Sequence, residues 1–419
     1  MSSTDPLPGR RLLLSGGSVF DGSGSAPREA DVVVADGRIA EVGTGLDGDD
    51  MVDVTGRTVL PGFTDCHVHV MISDIDIWRI QQTPFSLMFF EAARNLRLTL
   101  EAGITTVRDA AGADYGLKQA VETGLIPGPR LLNAISMLSQ TGGHGDGHQI
   151  SGTEAPLFRS HPGAPSGLVD GVDQARHRVR ELVRARADWI KVAASGGVLS
   201  EDDLHHRQFR DDELTEIVAE AAAAGLDVMA HAHAAEGIKA AVRHGARSVE
   251  HGVYLDDEAI DLMLRHNTWL VPTLAAPLAV IARAEAQNAA LPRGTAEKAR
   301  EVAEVHAASF RRAVDAGVRI AMGTDAGVGT HGENLVELEL MARAGMPPFE
   351  ALRSATASAA ELLRLDHEIG AVRPGLVADL VVLEGPLDDL CAVSDRVTTV
   401  LQAGRVVHRR APATAAGAQ

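Results

Sequence analysis

The chain has 419 residues, 45% of them hydrophobic, and a formal net charge of −18 from 57 acidic against 39 basic residues. That size and apolar content call for one large barrel or two domains around a buried core, and exclude a disordered chain. The acidic excess argues against nucleic acid as a partner, and two cysteines are too few for a disulfide framework.

The densest basic cluster, Arg176, Arg178, Arg180, Arg184 and Arg186, falls on a helical pattern whose apolar face is Val179, Leu182 and Val183. It reads as a solvated helix face. No stretch has the apolar run of a secretory signal or a membrane span. A cytoplasmic location in a reducing compartment is expected.

Taken in order, residues 11–59 read as short strands with tight turns, the Asp36-Gly37 pair being a hairpin cue. Next comes Leu60-Pro61-Gly62-Phe63-Thr64-Asp65-Cys66-His67-Val68-His69, a buried strand ending in two histidines. Alternation along a strand puts His67 and His69 on one face; Cys66 reads as a packed free thiol. From about 84 to 102 the period becomes helical, with Leu87, Phe90, Ala93, Leu96 and Leu100 as its stripe and Gly103 as its stop.

Strands are then expected at 104–109, 130–135, 189–194, 226–230, 247–250, 269–273 and 319–322. Helices are expected at 115–123, 172–187, 212–224, 236–244 and 257–266, in a long stretch to about 316, and at 334–344 and 349–363. Counting 59–65 as the first, about eight strands alternate with helices, which predicts an α/β fold of the (β/α)8 TIM barrel type. The β pattern returns beyond Leu365. Both chain ends should therefore fold together as a small β-sandwich, giving a discontinuous domain of 1–59 and 366–412, a barrel of 60–365 and a disordered tail of 413–419.

In a barrel, chemistry collects at the C-terminal strand ends. Those ends carry His67 and His69, then Lys191, then His231 and His233, then His251, and finally Asp325 in Gly323-Thr324-Asp325. Singly, each has a structural explanation: a snorkelling lysine, a capping histidine, an Asx turn. Their convergence on one end of one barrel points instead to a metal-holding, catalytic cluster.

With these residues in place the chain resembles the metal-dependent amidohydrolase superfamily. The flanking Val34-Ala35-Asp36-Gly37-Arg38-Ile39 and Arg373-Pro374-Gly375-Leu376-Val377-Ala378-Asp379 resemble that superfamily's split sandwich ends. The resemblance implies two divalent metal ions, zinc above all, with His67, His69 and Asp325 on the first, His231 and His251 on the second, and a carbamylated Lys191 joining them. His231 and His233 point the same way, so alternation leaves open which of them is the ligand; the superfamily pattern favours His231 and leaves His233 to line the pocket. Two cations about 3.5–4 Å apart supply hydroxide near neutral pH and polarise a carbonyl. Asp325 would be the general base and acid.

The loop Ser139-Gln140-Thr141-Gly142-Gly143-His144-Gly145-Asp146-Gly147-His148 and the Ala194-Ser195-Gly196-Gly197-Val198 run resemble the subgroup that hydrolyses Xaa-Pro dipeptides, dipeptides ending in Arg or Lys, and N-acyl amino acids such as ochratoxin. That resemblance puts His144 and Tyr254 on a free carboxylate of a small-molecule substrate. Imidazolonepropionase-like cyclic-amide hydrolysis, or hydrolysis of a urea or carbamate, is the alternative. Lys191 speaks against one-metal deamination, and the intact ligand set speaks against a metal-free scaffold. Self-association into a homo-oligomer is expected of a large acidic barrel.

Overall fold

The structure is a computed structural model and describes residues 9–286 and 291–410. The tail expected to be disordered, 413–419, lies outside the described residues.

The two ends of the chain meet in one sheet. Its order is Arg405–Arg409, Val397–Gln402, Leu380–Glu384, Arg57–Pro61, Ser18–Val19, Arg28–Glu29. The junction is antiparallel, with Val381 opposite Leu60 and Val382 opposite Val59. A second sheet of four strands (Arg38–Gly43, Asp31–Ala35, Arg11–Ser15, Asp50–Asp53) comes from the N-terminal part alone. Leu14, Val32, Val34, Val59, Leu380, Val382 and Leu401 form one apolar cluster drawn from both sheets. The Asp36-Gly37 turn joins Ala35 to its partner Arg38, and both turn residues have positive φ, 48° and 76°. That conformation matches the right-handed strand twist and explains the Asp-Gly pair.

The strand expected at 59–65 divides at Gly62. Arg57–Pro61 belongs to the small sheet, whereas Phe63–Val68 opens the parallel part of the fold. Gly62 donates to Asp379 O at 2.7 Å, and a Cβ there would sit 2.2 Å from Thr105 Oγ1. Only glycine lets the chain pass from one sheet to the other at this crossing.

The parallel strands form two sheets. One holds Arg130–Asn133, Ile104–Asp109 and Phe63–Val68; the other holds Met137–Leu138, Trp189–Ala193, Asp227–Ala232, Ser248–His251 and Trp269–Val271. The strand expected at 130–135 stops at Asn133 because Ile135 takes a left-handed φ of 65°. The segment expected as a last strand, 319–322, is not a regular strand. It is nevertheless bonded on both sides: Ala321 N–H donates to Leu270 O at 3.0 Å, Cys66 N–H to Met322 O at 2.9 Å, and His69 N–H to Ala326 O at 2.7 Å. It thus spans the edges of the two parallel sheets.

Helices cover the outer faces. Phe85–Glu101 buries Met88, Ala92, Asn95, Leu96, Thr99 and Leu100, a stripe rotated from the expected one, so Leu87 and Phe90 face outward. The long stretch before 316 is two helices, Ala275–Glu285 and Thr295–Ala316. No helix among the described residues is long and apolar enough to cross a membrane.

Candidate active site

Between the two parallel sheets lies a buried ion pair. Arg108 is fully buried, with its guanidinium 4.5 Å over the Trp189 ring. It donates to Cys66 O at 2.7 Å, Ser248 Oγ at 3.2 Å and Glu250 at 3.0 and 3.2 Å. Glu250 in turn accepts from His67 Nδ1 at 2.6 Å. Burial opposes ionisation of Glu250, but Arg108, His67 and Lys191 around it hold its carboxyl down at about 2. A charged floor thus orients the first histidine.

Each of the other ligand candidates is tied in the same manner, with one ring nitrogen engaged and the other left over. His69 Nδ1 bonds Ala111 O at 3.0 Å, His251 Nδ1 bonds Thr273 Oγ1 at 2.7 Å, and His231 Nε2 bonds Gly196 O at 3.2 Å. Such outer partners set the tautomer and ring direction of metal-binding histidines. His67 Nε2 and His69 Nε2 meet Asp325 Oδ1 at 3.5 and 3.2 Å.

Local backbone departures aim these side chains. The ladder between Phe63–Val68 and Ile104–Asp109 shifts register between Asp65 and Val68, and bulges of that kind redirect a side chain. His251 and Asp325 adopt φ of 73° and 61°, an uncommon region that non-glycine residues occupy mostly where the surroundings demand it. Asp65 braces the last segment by accepting from Thr324 Oγ1 at 2.6 Å and Asn334 Nδ2 at 2.8 Å.

The charge states suit metal binding. Burial, reinforced by neighbouring histidines and Lys191, keeps His231 and His251 far below the usual imidazole range. Burial likewise takes His67 down to about 4. Neutral imidazoles carry the lone pair a metal needs. Asp325 is pushed up by burial, yet facing His67, His69 and Lys191 holds it well below the ordinary carboxylate range. Lys191 is 1% exposed, its Nζ has no hydrogen-bond partner, and burial lowers it to about 8. An orphaned buried ammonium is costly, so Lys191 fits its surroundings poorly as it stands.

Two triads have all their potential ligand atoms within 4.8 Å of one another: His231, His233 and His251, and His67, His251 and Asp325. His231 and His233 therefore fall in the same triad, and both remain candidates. A cavity of about 730 Å³, its open mouth included, is lined by this cluster, by His144, His233 and His306, and by apolar side chains including Ile72, Leu157, Phe158, Val198 and Val302. His144 stacks on His231 with ring centroids 4.2 Å apart.

Of the residues expected to face substrate, His144 and His233 line the cavity, but Tyr254 does not. The Tyr254 hydroxyl donates to Glu301, and its ring packs on His205 at 4.7 Å. Three residues beyond His251, the Tyr254 phenol is thus engaged with Glu301 and His205 and is not brought together with His144 and His233 at the cavity. Sequence reasoning missed Arg108, Glu250, Thr273 and His306. His306 donates from Nε2 to His251 O at 2.9 Å. Glu250 was the one within reach, since it directly precedes His251.

Comparison with known proteins agrees with this geometry. The family model described as "Amidohydrolase family" matches residues 58–407. The chain is 33% identical to an ochratoxinase of Aspergillus niger over 97% of its own length and 88% of that protein's. It is 29% identical to an imidazolonepropionase of Cutibacterium acnes, covering 86% and 85% of the two chains. A crystal structure of a prolidase complexed with N-methylphosphonate-L-proline superimposes with a TM-score of 0.87 at 37% identity, covering 96% of this chain and all, 100%, of that one.

Proposed function

Because this chain belongs to the amidohydrolase family and so is an enzyme that hydrolyses amide bonds, we propose that it is a two-metal hydrolase releasing an amino acid with a free carboxylate. Its substrates would be dipeptides or N-acyl amino acids. The observation that carries this reading is Lys191, buried without a partner among five metal-ligand side chains. We read the strand ring as a (β/α)8 barrel, with the two-sheet unit from both chain ends as a separate small domain.

His67, His69 and Asp325 would hold one divalent cation, zinc the first choice, and His231 and His251 a second. A lysine lowered to about 8 has a far larger neutral fraction at physiological pH than an ordinary lysine, and a neutral amine can add CO2 with loss of one proton. The resulting carbamate at Lys191 is an anionic oxygen donor suited to joining two ions, which relieves the orphaned nitrogen. When bound, such a pair of cations acidifies water and polarises a carbonyl.

The chain's own residues supply the rest. Asp325 Oδ1, beside both His67 and His69, is placed to take a proton from the attacking water and return it to the leaving nitrogen. Converting Lys191 from a cation to an anion removes one of the charges that depress Asp325, which makes it a better base. His144 presents its ring at the wall of the cavity, where it can donate to a carboxylate. The apolar wall of Ile72, Leu157, Phe158 and Val302 excludes water and suits a hydrophobic side chain. The ochratoxinase and the proline-phosphonate complex of the prolidase support this class of substrate.

A second reading, cyclic-amide hydrolysis, is favoured by the similarity to imidazolonepropionase. One panel separates them. Zinc-loaded enzyme is assayed on Xaa-Pro, Xaa-Arg and Xaa-Lys dipeptides, on N-acyl aromatic amino acids including ochratoxin A, and on the carboxyl-amidated form of each. Cleavage of the free acids but not of the amidated forms is expected. Cleavage of cyclic amides, ureas or carbamates alone would reject the carboxylate reading and leave the metal centre intact.

A further inference from the structure

Glu337 is a carboxylate outside the ligand cluster. It lies in the first turn of helix Val336–Arg343 and is 0% exposed. A carboxylate so deeply buried is expected beside a cation. Glu337 instead has two main-chain N–H groups from one turn: Leu274 donates to Oε1 at 2.7 Å and Ala275 to Oε2 at 2.9 Å. These amides open helix Ala275–Glu285, whose N-cap residue Leu274 supplies no side-chain cap of its own. Each oxygen takes one donor; a glutamine there could accept with only one of its two ends.

Thr273, the residue just before these amides, connects the turn to the ligand cluster. Its Oγ1 lies 2.7 Å from His251 Nδ1. Thr273 has a φ of 55°, a left-handed conformation in which a β-branched residue is an outlier. Such a conformation persists only where the surroundings impose it. On one side the chain is fixed by strand Trp269–Val271, where Val271 pairs with Glu250, the neighbour of His251. On the other side it is fixed by the two bonds to Glu337. The turn between these anchors has little freedom, and it delivers the Thr273 hydroxyl to the His251 ring.

The hydrogen-bond direction is consistent with metal binding. An imidazole that coordinates through Nε2 carries its proton on Nδ1, and a threonine oxygen can accept that proton. Among the described residues Glu337 makes no hydrogen bond to a ligand side chain, so its structural reach to the cluster runs through Thr273.

We propose that Glu337 is a positioning residue for the second metal ion: by gripping the Leu274 and Ala275 amides it holds Thr273 in its left-handed turn, and Thr273 Oγ1 in turn aims His251 Nε2. This rests on the two-metal reading above. The first ion, on His67, His69 and Asp325, has separate supports in Glu250, Ala111 and Asp65, so the two ions should respond differently.

The test titrates the metal-free full chain with Co2+ in bicarbonate buffer, using visible absorption and a competing chelator to follow each binding step. Wild type should bind two ions. In Glu337→Gln the second should bind about 10–100-fold more weakly and the first within about threefold of wild type. Because this substitution also removes a charge, Thr273→Val is the control: it deletes only the hydroxyl and should give the same selective loss, whereas Thr273→Ser should keep nearly full affinity. The double variant Glu337→Gln/Thr273→Val should be no weaker than either single variant. Should Glu337→Gln fail to fold, Glu337→Asp, which keeps the charge but withdraws it by one methylene, must show the same selective loss. An unchanged second ion, equal weakening of both ions, or losses that add in the double variant would overturn the positioning role and leave the two-metal reading standing. A wild-type chain that binds fewer than two ions would reject both.

Discussion

Glu250→Gln tests the charged floor of the site. The substitution keeps the shape of the side chain but removes the carboxylate that accepts 3.0 and 3.2 Å contacts from the Arg108 guanidinium and 2.6 Å from His67 Nδ1. Breaking one side of a buried pair costs about 3–5 kcal/mol, because the remaining charge stays buried without a counter-ion. A carboxyl held at about 2 rather than 4.5 contributes about 3 kcal/mol at neutral pH. The lowered native value means that this stability is fully present above the unfolded carboxylate pKa and is lost as pH falls through about 2. The assay is guanidinium unfolding of the metal-free chain at pH 7 and at about pH 3. The variant should unfold at a markedly lower midpoint at pH 7, and the gap to wild type should narrow at the lower pH. Freed of its partner, His67 should also bind metal about 10–100-fold more weakly. Equal midpoints at pH 7, or a gap that widens on acidification, would refute the argument.

The chemistry is probed by smaller changes. Asp325 sits at φ 61°, a conformation asparagine accepts well, so Asp325→Asn should fold and retain most of its metal while kcat falls by about 10²–10⁴-fold; near-normal turnover would remove Asp325 from proton transfer. Lys191→Ala should lose activity and metal, with partial recovery in a short-chain carboxylic acid that replaces the carbamate; full activity without the acid would mean that no bridge is needed. Gly197→Ala places a methyl 2.0 Å from His144, so KM for a free-acid substrate should rise severalfold with circular dichroism unchanged; an unaltered KM would show that the His144 ring can yield there.

What the sequence disclosed depends on how local the signal was. His67 and His69 share a face through simple alternation, and both reach Asp325. Lys191, His231 and His251 each end a strand that periodicity alone locates. The shared sheet of the two chain ends was legible because each end, taken alone, left strands without partners. Long-range pairings left no such trace. Arg108 contacts Glu250 across 142 residues, and an arginine inside a strand run reads as an edge or surface residue until its partner is known. The break at Gly62 depends on Thr105, which lies on another strand. Tyr254 shows the limit of a resemblance carried over by spacing: three residues past His251, its phenol donates to Glu301, a partner 47 residues away that no local pattern announces. The stripe of Phe85–Glu101 was misjudged because Asn95 and Thr99 lie on its buried face. Asn95 donates to Val70 O at 3.0 Å, so a polar residue was needed where hydrophobicity was sought.

The charge balance of the site links the lysine to the kind of substrate proposed. On the two-metal reading, four histidines, neutral once their lone pairs are given to metal, and one aspartate bring a single negative charge to two divalent cations. Glu250 cannot help, since Arg108 neutralises it. With Lys191 as an ammonium the cluster carries no net negative charge, and two cations there would repel each other in an environment that screens poorly. A carbamate raises the fixed charge to minus two and still leaves an excess of plus two once the ions are bound. Beyond the ligands themselves, the described cavity wall is apolar apart from histidines and Thr273, so no further anionic side chain of that wall offsets it. An anionic substrate does. On this reading the free carboxylate is recognised twice, by His144 directly and by the uncompensated charge of the centre. The two contributions separate by salt: added ionic strength should weaken the field's share, so His144→Ala should retain a salt-dependent preference for the free acid over its amide. A preference that vanishes altogether in His144→Ala would assign recognition to the imidazole alone.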